Sequence, residues 1–130
     1  MNAVSRQPRL ANAVALHKEP ESFTDFAFAE LAAAPLVEPG ICFRPECSAA
    51  FAPSREWQIY CSSTCARAGV AEMRKWGHKL ALAMLTWRIG KYEQTDKAVQ
   101  ARTRAARRYV TAVQSAWLAD RARRAERAGM

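Results

Sequence analysis

Apolar residues recur every three or four positions through the second half of this chain. Val70, Met73, Trp76 or Gly77, Leu80, Met84 and Trp87 fall at that spacing, and Leu82, Leu85 and Ile89 widen the stripe. This period marks one face of an α-helix. The helix is predicted to begin near Ser63, capped by Ser62 or Ser63, and to stop at Gly90. A second stripe, mostly of small residues, runs through Val99, Ala106, Tyr109 or Val110, Val113, Ala116 and Trp117. Thr95 is its expected cap, and few helix breakers follow before Gly129. Small side chains allow helices to approach closely. Residues 66–128 therefore read as two long helices folded into an antiparallel hairpin. Neither helix can bury its stripe alone, so a third helix or a homodimer through the hairpin would complete the core.

The first forty residues follow a different pattern. Residues 1–21 hold only a short apolar run between Pro8 and Pro20 and read as a flexible lead-in. Residues 22–40 read as a short acidic helix capped by Ser22 or Thr24, with Phe23, Phe26, Ala27, Leu31 and Ala34 at helical spacing. Pro35 and Pro39–Gly40 end it. Between this helix and the long hairpin, Phe51, Trp57, Ile59 and Tyr60 flank Pro53–Ser54–Arg55–Glu56, which suggests a small β-hairpin. The expected fold is mainly α, with a small zinc-bound β-hairpin, a zinc module over 41–68 and a basic helical hairpin over 69–130.

That middle stretch holds every cysteine of the chain. Cys42 and Cys47 form one close pair, Cys61 and Cys65 another, with thirteen residues between the pairs. Two short-spaced pairs suit four thiolates on one zinc ion. Free core thiols, disulfides and an iron–sulfur cluster are the competing readings. Free thiols have no reason to cluster in pairs, and a chain without an export signal keeps cysteines reduced. The apolar run before His17 is too short for a signal peptide, and no run approaches the ~20 residues of a membrane span. The expectations are a cytoplasmic protein, no membrane partner, and one structural zinc held by Cys42, Cys47, Cys61 and Cys65. Ser62 or Ser63 places Cys65 in the first turn of a helix, where the local positive end favours a thiolate.

The segment from Phe51 to Cys65, ending Tyr60-Cys61-Ser-Ser-Thr-Cys65, resembles small treble-clef zinc fingers that end in "yCS..C". The Cys-x4-Cys that opens the whole cysteine stretch, Cys42 and Cys47, and the aromatic residue before Cys61 are also similar to the CGNR-type zinc finger of bacterial transcription regulators. After the fourth cysteine this chain reads Ala66-Arg67-Ala68-Gly69, where that type carries Gly-Asn-Arg. The resemblance covers about 25 of the 130 residues. It implies a zinc-stabilised module of the kind often attached to nucleic-acid-binding proteins, including small phage and prophage products.

Charge changes the picture further. The chain carries a net +8, yet residues 1–40 hold three basic and five acidic side chains, whereas residues 91–130 hold ten basic and four acidic. The positive field belongs to the helices that follow the cysteines. Arg67, Arg74 and Lys75 on the first helix, and Arg104, Arg107 and Arg108 clustered on the second, are the candidate phosphate contacts. Arg121, Arg123, Arg124 and Arg127 form a further group near the C-terminus. An arginine-rich solvated helix is the competing reading, since arginine at a helix end also complements its dipole. The expected function is a small bacterial or phage regulator binding nucleic acid, DNA rather than RNA. The alternative is an adaptor or inhibitor that binds an acidic protein partner. Catalysis is not expected. His17 and His78 stand away from the cysteines, and no nucleophile–base set or phosphate loop is present.

Overall fold

The structure is a computed structural model and describes residues 36–55 and 58–129. The expected flexible lead-in over 1–21 and residues 22–35 of the expected helix lie outside the described residues, as do Glu56 and Trp57, and residues 36–40, counted in that helix, are bends and a turn. Residues from Val37 onward form one compact unit. Its described residues are mainly helical, with two helices and no strand.

Helix α1 spans Ser63–Gly90 and helix α2 spans Lys97–Ala128. The Cys65 N–H donates to the Ser62 hydroxyl at 3.3 Å, so Ser62 is the cap that starts α1. The cap of α2 is Asp96 rather than the expected Thr95. Its carboxylate accepts from Ala98 and Val99 N–H at 3.0 and 3.2 Å. Thr95 is turned to another task. Its N–H and hydroxyl, with the Asp96 N–H, all donate to one Glu93 carboxylate oxygen. The Thr95 hydroxyl is engaged as a donor in a charge-assisted bond, which ties the link together and leaves capping to the next residue.

Cross-helix pairs run in reversed order, Glu72 with Arg121, Trp76 with Trp117 and Gly90 with Thr103, so the helices are antiparallel. Trp76, Leu80, Val110 and Val113 form the buried cluster, with Ala83 and Trp117 packed against it. The indole rings of Trp76 and Trp117 stack at 5.8 Å with an interplanar angle of 6°. Gly90 lets the helices close near the turn, because a Cβ there would fall 2.0 Å from the Thr103 hydroxyl.

The inner face of α1 is rotated from the predicted stripe. Trp76 and Leu80 are buried, but Val70, Met73 and Met84 are exposed, and Ala83 packs inward instead. The run Leu80–Leu85 is apolar all round, so spacing could not say which side meets α2. The small Ala83 permits the closer approach that a methionine would block.

Among the described residues no strand is formed where the β-hairpin was predicted. The described part of the cysteine segment contains one isolated antiparallel bridge, Ile41 with Ala50. The backbone of 59–61 pairs back to the first cysteine pair instead. Phe43 N–H donates to the Ile59 carbonyl at 2.7 Å, and Cys61 N–H donates to the Cys42 sulfur at 3.4 Å. The Ser54 N–H and hydroxyl close their own loop on the Gln58 side chain. The thiol cluster pulls Tyr60 and Cys61 toward Cys42, away from the strand that Phe51 would have offered.

Candidate metal centre

The four sulfur atoms of Cys42, Cys47, Cys61 and Cys65 lie within 4.8 Å of one another. The loop supplies Cys42 and Cys47, the residue before the Ser62 cap supplies Cys61, and the first turn of α1 supplies Cys65. All four thiols are free in this structure. Cys47 and Cys61 sulfurs stand 3.7 Å apart, and Cys61 and Cys65 sulfurs 3.8 Å apart. Four sulfurs placed tetrahedrally at ~2.3 Å from one ion would be separated by about 3.8 Å. The cluster is therefore sized for a single tetrahedral ion and is compatible with zinc. A polynuclear iron–sulfur core would spread the thiolates further apart.

Local folding builds this geometry. Cys47 N–H and Ser48 N–H both donate to the Arg44 carbonyl, at 2.9 and 3.0 Å, and turn the chain back on itself. Ser48 completes the turn with a positive φ of 50°. Cys42 and Cys65 are buried, whereas Cys47 and Cys61 are half-buried.

The sulfurs differ electrostatically. An Arg44 guanidinium hydrogen bond at 3.8 Å is the main cause that lowers the Cys65 thiol to about 7. Burial opposes this lowering, and the Ser62 hydroxyl then adds to it. Ser62 also pulls the Cys61 thiol down, but Cys47, burial, Cys42 and Cys65 together push it up to about 11. Arg44 brings one positive charge to a cluster that, with four thiolates on a divalent ion, would carry a net −2.

A second constellation fixes this module to the hairpin. Glu72 is buried on the inner face of α1, its side chain 7% exposed. One of its carboxylate oxygens accepts from Trp117 Nε1 at 2.6 Å and Arg121 Nη1 at 2.7 Å, and pairs with Arg124 at 3.0 Å. Arg121 also donates to the Phe43 carbonyl and stands over the Phe43 ring, 3.9 Å from its centroid. Arg124 reaches Glu46 at 2.9 Å and Asp120 at 3.1 Å. Burial pushes the Glu46 carboxyl up, but its own backbone N–H and Arg124 outweigh this and hold it below the ordinary range. Phe43 meets Tyr60 edge-on at 6.2 Å, and Tyr60 lies against Gly69, where a Cβ would fall 2.0 Å from its hydroxyl.

The sequence reading missed Glu72, Trp117, Arg121 and Arg124 as partners. One signal was available. Glu72 is the only acidic residue between Ala66 and Gly90, and a lone carboxylate on a basic helix needs a reason.

The six candidate phosphate contacts fall into two places. Arg104, Arg107 and Arg108 come together with Thr111, Ala112 and Ser115 along one side of α2, lining a shallow depression of ≈ 500 Å³. All three arginines are exposed, and none forms an ion pair among the described residues. Arg107 also lies 6.0 Å from the Trp87 ring centroid. Arg67 and Arg74 are exposed on α1. A helix turns about 100° per residue, so these two lie opposite Trp76, facing away from α2. Lys75 sits on the flank, its ammonium 5.1 Å over the Trp76 ring. The structure thus gathers the α2 set and holds Arg67 and Arg74 apart from it, on the far side of the hairpin. No described helix is long and apolar enough to cross a membrane.

Comparison of the chain with protein-family models, with curated proteins and with solved structures returns no match.

Proposed function

We propose that this chain is a small nucleic-acid-binding protein, of DNA in the first instance, built on one structural zinc ion. Cys42, Cys47, Cys61 and Cys65 would hold the ion. Four thiolates complete its tetrahedron and leave no open position for water, so the ion stabilises and does not catalyse. The ligand order, two from a loop, one before a helix and one in its first turn, supports the treble-clef likeness even without the hairpin. Free thiols in pairs suit the reducing cytoplasm.

One observation carries the binding reading: Arg104, Arg107 and Arg108 lie on one exposed face of α2, continued by the hydroxyls of Thr111 and Ser115. Three guanidinium forks at i, i+3 and i+4 match a run of phosphates, and hydroxyls add neutral contacts of the same kind. Nothing on this face distinguishes one base from another, so binding is expected to be largely independent of sequence. Arg67 and Arg74 face the other way, and a straight duplex that touches α2 cannot reach them.

The test is a fluorescence-anisotropy titration of a labelled DNA duplex at two salt concentrations. Three phosphate contacts give a slope of about −2.7 in log K against log salt, or about a 40-fold loss between roughly 50 and 200 mM. Replacing Arg104, Arg107 and Arg108 together by Gln should abolish most of that slope. An affinity indifferent to salt and to the triple substitution would overturn the reading.

A further inference from the structure

The face of α1 turned away from α2 is apolar in its C-terminal half. Leu82, Leu85 and Ile89 are 76%, 58% and 68% exposed, respectively. At i, i+3 and i+7 they form one ridge on the side opposite Trp76. Single exposed leucines are ordinary on a protein surface, but three in register on a long helix form a patch that needs a partner. The patch has a cationic frame. Arg74 and His78 close one end, Lys79 flanks one side and Arg88 the other, all exposed. The only carboxylate of α1, Glu72, is buried against Arg121 and Arg124 and offers this face nothing.

From this ridge and its frame, we infer that the outer face of α1 docks an amphipathic helix with acidic flanks, contributed by a partner protein. An apolar seam one side chain wide meets the seam of another helix, and the basic frame selects glutamates or aspartates beside it. A second copy of this chain fits poorly, because pairing two α1 helices would bring Arg74, Lys79 and Arg88 against their own kind. A lipid surface also fits poorly. The ridge is narrow, and neither tryptophan of α1 lies on it: Trp76 is stacked on Trp117 inside the hairpin, and Trp87 is half-buried beside Arg107 of α2. The docking face is distinct from the Arg104–Arg108 face, so the two can be tested apart.

The experiment uses the full chain and two synthetic amphipathic helices. Both carry leucines at a and d; one has glutamates and the other lysines at e and g, which also keeps each probe from pairing with itself. Binding is followed by anisotropy of the labelled probe. The glutamate probe should bind saturably and weaken with salt, and the lysine probe should bind at least about tenfold more weakly. Leu85→Gln, a neutral change at an exposed site, should reduce binding of the glutamate probe about tenfold or more. It should leave the circular dichroism spectrum and duplex affinity unchanged. Arg88→Gln should weaken the glutamate probe and reduce its salt dependence. The inference is overturned if the two probes bind alike, or if Leu85→Gln leaves binding intact. It is equally overturned if Leu85→Gln instead dissolves a homodimer or releases the chain from anionic phospholipid vesicles. Loss of duplex binding in the Arg104/Arg107/Arg108 variant with probe binding retained would show that the two faces act separately.

Discussion

Helix α2 carries arginines at both ends, and the two groups do opposite things. Arg121 and Arg124 are held in place, their side chains 15% and 17% exposed, between Glu72, Glu46, Asp120 and the Phe43 carbonyl. Arg104, Arg107 and Arg108 are exposed and form no ion pair among the described residues, Arg107 resting 6.0 Å from the Trp87 ring centroid. The residue type and the helix are the same. The difference lies in what stands opposite: the cysteine segment and a buried carboxylate at one end, solvent at the other. A guanidinium that neutralises a buried carboxylate is part of the fold, and one that faces solvent remains available to a phosphate. Arginine count alone therefore says little about binding in a chain of this composition.

The largest expected effect comes from breaking the cysteine end outright. Metal analysis of protein purified without added zinc should give about one ion per chain. Cys61→Ser or a strong chelator should remove it. Structural zinc is worth ~10–16 kcal/mol in small fingers, enough to decide whether residues 42–65 fold at all. Hydrogen exchange should then show Phe43, Cys61 and Cys65 amides losing protection before those of Val110 and Val113. Native protein without metal, or loss of protection spread evenly along both helices, would remove the contrast between the two ends.

The next effect separates the two arginine groups directly. Glu72→Ala leaves Arg121 and Arg124 facing each other without their shared acceptor, and breaking a buried pair in this way costs about 3–5 kcal/mol. Arg108→Ala, on the exposed face, should stay within about 0.5 kcal/mol of wild type. Urea unfolding followed by tryptophan fluorescence measures both. Equal costs for the two variants would mean that the tied group is no more structural than the free one.

A smaller cost is expected where Tyr60 rests on α1. Gly69→Ala gains up to ~1 kcal/mol of helix propensity, but its Cβ would meet the Tyr60 ring, and overpacking costs about 1–3 kcal/mol. The clash wins, so the variant should be less stable than wild type and show altered Tyr60 side-chain resonances. A more stable Gly69→Ala would mean that Tyr60 moves aside freely.

The smallest effect belongs to the turn at the far end. Backbone N–H groups of Asp96 and then Thr95 hold the Glu93 carboxyl below its ordinary value. A depressed carboxylate stabilises the fold above its unfolded pKa of about 4.3, and that contribution is lost as pH falls through the folded value. Thermal melts between pH 6 and 3 should show wild type losing stability more steeply than Glu93→Gln. Parallel curves would mean that the Glu93 hydrogen bonds do not persist in solution.

Much of this architecture could be read in the order of residues. Cys42, Cys47, Cys61 and Cys65 stood out because short paired spacings leave few other uses for thiols, and the structure draws their sulfurs together. The two helices followed from apolar residues at helical spacing and from Gly90 and Gly129 at their ends. Local rules sufficed there, because capping, glycine stops and thiol spacing act within a few residues. The β-hairpin expectation rested on the same local rules, and the described residues show no strand there. Phe51, Ile59 and Tyr60 have strand propensity, but Phe43 and Cys42 claimed the backbone of 59–61 first. The inner face of α1 was misjudged because a run that is apolar all round has no phase until a neighbour chooses one. The sequence by itself determined the two long helices after the cysteines and one four-thiol cluster. Only the tertiary structure decided which arginines are spent on Glu72 and which face outward, since that depends on contacts between residues 49 positions apart. No pattern of nearby residues encodes such a contact.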